Sequence, residues 1–361
     1  MKRPSFILGA AIAFTLPPGA GGQERALPTP EEYAQRAEEA ERALLFATHE
    51  PLEMVLRTDV SWIRDERSDE EEAEGMVILP GPDGAEVAVP VKVRARGNFR
   101  RDHSNCNFPP LRLNFAGKQV EGTVFQGQDK LKLVTPCHDA RDSYQTYVIQ
   151  EYLVYRVLQL LTPASFRVRL VHITYEDPDG GYDTRSRTAF LLEDEDQMAA
   201  RNRALVSEWE QFHPAAMYGE QASVVVLFQY MIGNTDFSLP MFHNALLLRD
   251  QEGRYLTIPY DFDWSGIVDA RYAVPDPRLP IRDVRQRIFR GYCRPDVDHE
   301  GLIARFNAQR DAIRALYEGM PELEEGARKR ALEYYDRFYE IINDPRKYDR
   351  EIVRACLDAG G

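Results

Sequence analysis

No apolar run in the 361 residues is long enough to cross a membrane as a helix, which needs about 20 residues for a hydrocarbon core of about 30 Å. No surplus of positive charge exists either. The chain carries 45 Lys and Arg against 58 Asp and Glu, a net charge of −13. A duplex-binding surface is thereby excluded, because phosphate contacts need clustered Lys and Arg, and nucleic acid is not an expected partner. Gly and Pro, 23 of each, are neither enriched nor periodic, so collagen-like and low-complexity chains are excluded. Cysteine is scarce, with four residues and no C-x-x-C, which removes a thioredoxin-like centre. No G-x-S-x-G is present to seat the serine of an α/β-hydrolase triad. No internal repeat is visible.

What remains is globular. A 43% hydrophobic and 29% charged composition over this length predicts one large two-lobed domain or two ordinary ones. Met1-Lys2-Arg3, the apolar Ser5–Leu16 and the small, structure-breaking Pro17–Gly22 have the three parts of a secretory leader, residues 1–22. The competing readings are an interfacial anchor or a buried strand. Export to the periplasm or extracellular space is the expectation, with a mature start near Gly21 to Glu24. In an oxidising compartment Cys106, Cys137, Cys293 and Cys356 predict one or two disulfides, with three pairings open. His103-x2-Cys106 and Cys137-His138 as halves of a zinc site compete, at a spacing that is not a standard one.

Thr29-Pro30-Glu31-Glu32 starts a helix running to about Thr48, the core of an N-terminal arm over 23–50. Asp65–Glu74, with seven carboxylates, reads as a solvated loop. Met76–Leu79 and Val87–Val93 flank Gly81-Pro82-Asp83-Gly84 as a hairpin, and alternating Leu111–Phe115 and Lys130–Val134 extend an antiparallel meander. A helix over about Asp142–Leu161 and a hairpin over Phe166–Leu192 complete a first part, 51–195. The second part, 196–361, is mostly helical, with a nearly apolar helix over Ala215–Ile232 and further helices over Glu300–Met320, Pro321–Ile342 and Arg346–Asp358.

The chemistry concentrates at Gly233–Tyr292. Gly233-Asn234-Thr235-Asp236 ends the apolar helix. His243-Asn244 precedes an apolar strand, and Ile258-Pro259-Tyr260-Asp261-Phe262-Asp263 ends the next, after the Gln251-Glu252-Gly253 turn. A hairpin sets Asn244 beside Asp261, with Asp236 on the loop leading in. One carboxamide and two or three carboxylates then share a sheet edge. Such oxygen ligands suit Mg²⁺ or Mn²⁺, which takes one or two carboxylates plus substrate phosphates. A carboxylate off the metal orients a hydroxyl and takes its proton, the phosphoryl-transfer arrangement, with Asp236 as base, Asn244 and Asp261 as ligands and Asp263 in support. The competing reading makes all four turn and cap residues. Lys132 alternates with Leu131 and Leu133, and Glu151 lies in an apolar helical stripe where a lone carboxylate is costly. A Lys132–Glu151 pair satisfies both and sets a cation over nucleotide phosphates. Lys130 shares the strand face and competes with Lys132, and two exposed lysines with a helix-edge Glu is an equal alternative.

Arg96-Gly97-Asn98, the strand pair, helix and acidic segment that follow, and GN-T-D…HN and I-P-Y-D-F-D together resemble the CotH (spore-coat) kinase family over about Val55–Tyr292, most specifically over Gly233–Gly266. The D-F-D and GN-x-D…N parts are also similar to HipA-type and phosphoinositide kinases. The resemblance implies an α+β, two-lobed, protein-kinase-like fold: a mainly antiparallel N-lobe sheet with one helix, and a mainly helical C-lobe. It implies an exported kinase moving phosphate from Mg-ATP to a hydroxyl of a protein or small molecule. It makes Lys132 and Glu151 the ion pair of the small lobe, Arg96 and Asn98 part of a phosphate loop, and Phe190–Glu195, with Glu193, the adenine-binding hinge. The chain departs from ordinary protein kinases in the eight residues from Asp236 to Asn244, in Ser238 where a lysine follows the base, and in having no G-x-G-x-x-G loop. A non-catalytic kinase-like binding module and a DxD metal-dependent glycosyltransferase are the alternatives.

Overall fold

The computed structural model describes residues 27–81 and 84–358. The leader read at residues 1–22 lies outside them, as do Pro82 and Asp83 of the expected turn. Helix α1 (Pro30–Glu41) opens with a capping box: the Thr29 hydroxyl accepts the Glu32 N–H at 3.2 Å, and the Glu32 carboxylate accepts the Thr29 N–H at 2.7 Å. The helix stops seven residues short of Thr48. Its buried Tyr33, Ala37 and Ala40 lie on one face, and it packs against α4 (Glu195–Arg201). Part of the acidic stretch expected as loop is helical, because Asp59 caps α2 (Val60–Glu66) by accepting the Trp62 N–H at 2.8 Å.

Strand β1 (Leu52–Thr58) has no counterpart in the sequence expectation. It pairs antiparallel with β2 (Ala73–Pro80), Val55 opposite Ile78, and parallel with β6 (Val168–Glu176), Leu52 opposite Val171. With β3 (Glu86–Ala95), β4 (Leu111–Asn114), β5 (Lys130–Val134) and β7 (Arg185–Leu192), the order is β1-β2-β3-β4-β5-β7-β6 and the sheet closes on itself. This overturns the two-lobed, kinase-like fold: in place of an open N-lobe sheet the chain builds a seven-stranded closed barrel. The physical reason lies in β1. Once one strand bonds β2 on one side and β6 on the other, no free edge is left. Its parallel partner lies far along the chain, beyond the reach of local pattern.

Alternation then sorts the side chains. Leu56, Val77, Val91, Leu113, Leu131 and Leu191 belong to the core inside the barrel. On β7 the intervening Phe190 and Leu192 join a second, larger core with helix α3 (Ser143–Leu161), so β7 is apolar on both faces. Twelve of the 19 residues of α3 are buried, which makes it an embedded helix rather than a surface one. The same core continues into α5 (Gly219–Ile232) and the C-terminal helices α6 (His299–Ala308), α7 (Arg310–Glu318), α8 (Glu325–Ile342) and α9 (Pro345–Tyr348). The helix expected over Glu300–Met320 breaks at Gln309, and the last one ends in a π turn, Asp349–Val353, rather than at Asp358. A small sheet of β8 (Ala204–Val206), β9 (Ala245–Asp250) and β10 (Tyr255–Pro259), in the order β10-β9-β8, carries the hairpin expected around Asn244 and Asp261.

Two disulfides, Cys106–Cys137 and Cys293–Cys356, use all four cysteines, with Cα–Cα distances of 4.8 and 5.0 Å. The zinc reading falls with them, since a bonded sulfur is no thiolate ligand. Two disulfides, and the lack among the described residues of a helix long and apolar enough to cross a membrane, are compatible with an exported protein.

Helix α5 ends at Gly233 in the left-handed region, φ 66°. A Cβ there would lie 2.0 Å from the Tyr334 hydroxyl, which is itself held by donating to the Arg285 carbonyl at 3.1 Å. Gly253, also left-handed at φ 79°, has nothing within 4 Å of such a Cβ. Gly253→Ala is therefore expected to cost only the backbone strain, about 1–2 kcal/mol. Gly233→Ala is expected to lower the urea midpoint clearly further, and equal losses in the two variants would refute the packing role assigned to Gly233.

Candidate functional site

The end of α5 and the β9–β10 hairpin meet through backbone contacts. Gly266 N–H bonds the Gly233 carbonyl and Ile267 N–H bonds the Ile232 carbonyl, both at 3.0 Å. The loop bearing Asp236 and the loop bearing Asp261–Asp263 are thus fixed side by side. The eight-residue step from Asp236 to Asn244 is a closed turn: Ser238 and His243 exchange N–H···O bonds of 3.0 and 3.1 Å, which folds His243 and Asn244 back onto Asp236. Asn244 Nδ2 donates to the Asp236 carbonyl at 2.8 Å and to Asp236 Oδ2 at 3.0 Å, while His243 Nε2 lies 2.9 Å from Asp236 Oδ1. Asn234 Oδ1 accepts the Asp236 N–H at 2.9 Å. Each oxygen of the half-buried Asp236 carboxylate thus has one partner, and a carboxylate oxygen can accept a second hydrogen bond.

Across the hairpin the Tyr260 N–H bonds the Asn244 carbonyl at 3.0 Å, so Asp261 follows directly on the residue facing Asn244. Asn244 and Asp261 both adopt left-handed backbone, φ 51° and 61°, a conformation that costs a non-glycine residue energy and gathers at functional sites. The Tyr155 hydroxyl accepts the Asp261 N–H at 2.9 Å. Phe262 is fully buried against Tyr155 and Phe228, at ring-centroid distances of 4.7 and 5.5 Å. That anchor leaves Asp261 exposed, without a side-chain hydrogen bond to a described residue, and turns Asp263 inward. Asp263 is 4% exposed and accepts a 2.9 Å hydrogen bond from the Tyr272 hydroxyl.

A buried charge cluster lies behind this edge. Glu151, 2% exposed, makes no ion pair with Lys132. Its carboxyl is held well above the usual carboxylate range, first by burial and then by Asp263 and Asp261, with Arg100 and Arg96 acting in the opposite direction. Asp263 is pushed up to about 7 by burial, then by Asp261, against the pull of Arg100. Arg96 and Arg100 each keep a buried Nε with no hydrogen-bond partner. Arg100 also donates to the Thr135 carbonyl. Phe99, between them in the loop after β3, packs on Trp264 and Tyr272 at 5.1 and 5.9 Å.

Of the residues anticipated from sequence, the structure brings together Asp236, Asn244 and Asp261 at the edge, with Asp263, Glu151 and Arg96 behind it. Lys132 has a different partner from the one expected: its Nζ lies 2.6 Å from a Glu195 oxygen and 5.4 Å from the centre of the Tyr260 ring. The reason is register. Lys132 is opposite Leu192, so its side chain meets the chain as it leaves β7, where Glu195 begins α4. Lys130 is exposed. Within the Phe190–Glu195 segment read as a hinge, Glu193 is committed to Arg201 at 3.0 Å and accepts the Arg167 N–H at 2.8 Å, and Phe190–Leu192 is paired on both sides. Asn98 is exposed and makes no side-chain hydrogen bond to a described residue. Arg100 and Tyr155 were not anticipated as site residues, nor was the contact of Tyr272 with Asp263. Only tertiary packing gathers them, although Arg100 lies four residues beyond Arg96 in R-G-N-F-R. His243 stands in the motif, but its contact with Asp236 depends on the Ser238–His243 closure.

Among the described residues no group of three His, Cys, Asp or Glu side chains could hold a metal ion by themselves. A smaller donor set fits Mg²⁺ all the same. Asn244 spends its amide N–H groups on Asp236, which leaves Oδ1 as an acceptor, and Asp261 offers a carboxylate with no hydrogen-bonding side-chain partner. Two such oxygens suit a cation that takes its other ligands from water and phosphates. No protein-family model matches the chain, and no curated protein matches it significantly.

The folded chain keeps the Asp263 proton to higher pH than an unfolded chain does, so this group's contribution to stability is full below about 4 and lost as pH rises to about 7. Asp263→Asn, compared with wild type in chelator, is expected to gain relative stability between pH 5 and pH 8. A difference that does not change with pH would exclude the buried, proton-retaining carboxyl.

Proposed function

We propose that this chain is a phosphotransferase that uses a metal–nucleotide such as Mg-ATP, or its Mn²⁺ equivalent, to phosphorylate a hydroxyl on a protein or small molecule. One observation carries the reading: Asp236, Asn244 and Asp261 sit at one sheet edge, with the Asn244 amide turned toward Asp236. The Gly233–Gly266 stretch that supplies them is also where the resemblance to CotH kinases is most specific. Asn244 Oδ1 and Asp261 would hold the cation, whose chemistry when bound is to neutralise charge on the nucleotide phosphates. Asp236 orients the acceptor hydroxyl and takes its proton as that oxygen bonds to the γ-phosphorus and the bond from this phosphorus to the departing nucleoside diphosphate breaks. His243 and Asn244 hold its carboxylate in that orientation. Arg96 and Arg100, with unsatisfied Nε groups close behind, supply fixed positive charge where negative charge is transferred. Secretion directed by residues 1–22, to the periplasm or beyond, completes the proposal, in keeping with the disulfides.

A second reading, a module that binds nucleotide without transfer, is favoured by one feature: Lys132 and Glu193 are spent on Glu195 and Arg201. The two readings separate by mutation. At about 100 times its dissociation constant a ligand stabilises by ~2.7 kcal/mol, so Mg-ATP is expected to raise the unfolding midpoint of wild type by several degrees. Asp261→Ala is expected to lose that shift while remaining folded. An unchanged shift removes Asp261 as a ligand, and no shift in wild type with ATP, GTP or Mn²⁺ removes the nucleotide. Asp236→Ala is expected to keep the shift and lose phosphate transfer to a hydroxyl acceptor by about 100-fold or more, the scale of general-base catalysis. Transfer at the wild-type rate would exclude Asp236 as the base.

A further inference from the structure

A second polar recess lies beside the segment that follows Asp263. It is a cleft of about 630 Å³ between α3, residues 267–275, residues 282–285 and the start of α8. Four arginines line it, Arg271, Arg282, Arg285 and Arg330, against two acids, Asp269 and Asp283. Both acids contact one arginine, and only Asp269 meets its guanidinium. Asp269 pairs with the Arg285 guanidinium at 3.2 Å, and Asp283 Oδ1 accepts the Arg285 N–H at 2.8 Å. Arg271, Arg282 and Arg330 make no ion pair with a carboxylate among the described residues, in a chain whose net charge is −13. Four arginines against two acids leave this wall with a surplus of two positive charges, which favours an anion there.

The size and the donors select the anion. The volume falls in the range of small-molecule pockets. A guanidinium presents a planar fork of N–H donors that matches phosphate and carboxylate oxygens two at a time. A carboxylate has one charge and two oxygens, enough for one such fork. A phosphate monoester brings close to two charges and three terminal oxygens, which three arginines can share. The cleft is separate from the carboxylate edge, because Asp236, Asn244 and Asp261 do not line it. It is nevertheless mechanically joined to that edge. Tyr272, between the lining residues Arg271 and Ala273, donates to Asp263, and Gln150, the neighbour of Glu151, donates to the Val268 carbonyl at 3.3 Å.

We propose that this cleft binds a small phosphate-bearing anion, directly through Arg271, Arg282 and Arg330 and without a divalent cation. The assignment does not depend on the phosphoryl-transfer reading. Calorimetric titration of the purified full chain with inorganic pyrophosphate in EDTA tests it. One-to-one binding that weakens as sodium chloride is added is expected. The variant R271A/R282A/R330A is expected to weaken it by about tenfold or more, as loss of charged hydrogen bonds does. Arg330→Ala alone, at an exposed position on α8, is expected to keep the wild-type unfolding midpoint and still bind more weakly, so a misfolded triple variant does not blunt the test. The proposal is overturned by the absence of binding in EDTA, by binding that appears only when Mg²⁺ is added, by variants that bind as wild type does, or by citrate binding as tightly as pyrophosphate.

Discussion

The close crossing of two backbones at Gly233 and Gly266 sets the geometry of everything around it. Two 3.0 Å amide–carbonyl bonds tie the last turn of α5 to the loop leaving β10. Neither position has room for a side chain, since a Cβ on either would run into the Tyr334 hydroxyl. Tyr334 is braced in turn by Arg287, whose guanidinium lies 3.6 Å from the centre of its ring and donates to the Met231 and Tyr334 carbonyls at 3.0 and 2.7 Å. The C-terminal helices thus act as a buttress. They take no direct part in the carboxylate edge, yet they hold the two loops that make it.

Electrostatics completes the arrangement from the other side. Glu151 is buried where Asp263 and Asp261 raise its proton affinity, and Asp263 is raised in turn by burial and by Asp261, a costly placement that Arg100 offsets for both and Arg96 for Glu151. Those arginines come from the loop after β3, so a strand end of the barrel supplies the counter-charge for carboxylates on α3 and after β10. The Phe99 contacts with Trp264 and Tyr272 fix that loop in place. Barrel and helical part are therefore joined at the site by charge and aromatic packing as well as by the shared apolar core. In an acidic chain, positive charge is concentrated behind the carboxylate edge and along the arginine-lined cleft, the two places where anionic ligands are proposed.

Much of the local structure was legible in the sequence. Thr29 and Glu32 spell out a capping box, the alternation of Lys130–Val134 marks a strand with its apolar face inward, and the apolar run before Gly233 marks a buried helix. The hairpin bearing Asn244 and Asp261 was legible for the same reason, since strand periodicity and a Gln251-Glu252-Gly253 turn are short-range signals. Barrel closure was not. Leu52–Thr58 is a short strand whose parallel partner is remote, and pairing of that kind leaves no trace in neighbouring residues.

The site divides along the same line. The sequence by itself determined which residues could do chemistry, because Asp236, Asn244 and Asp261 sit at element ends whose positions follow from periodicity and turns. Tertiary structure alone decided the partners. It assigned Lys132 to Glu195 through its register opposite Leu192, gave Glu193 to Arg201, and placed Arg100 and Tyr272 beside Asp263. The physical reason is range. Capping, alternation and turn formation act over a few residues and are written in order along the chain. Charge pairing and close packing act through space, between residues that come near each other only once the barrel has closed and Gly233 rests against Gly266.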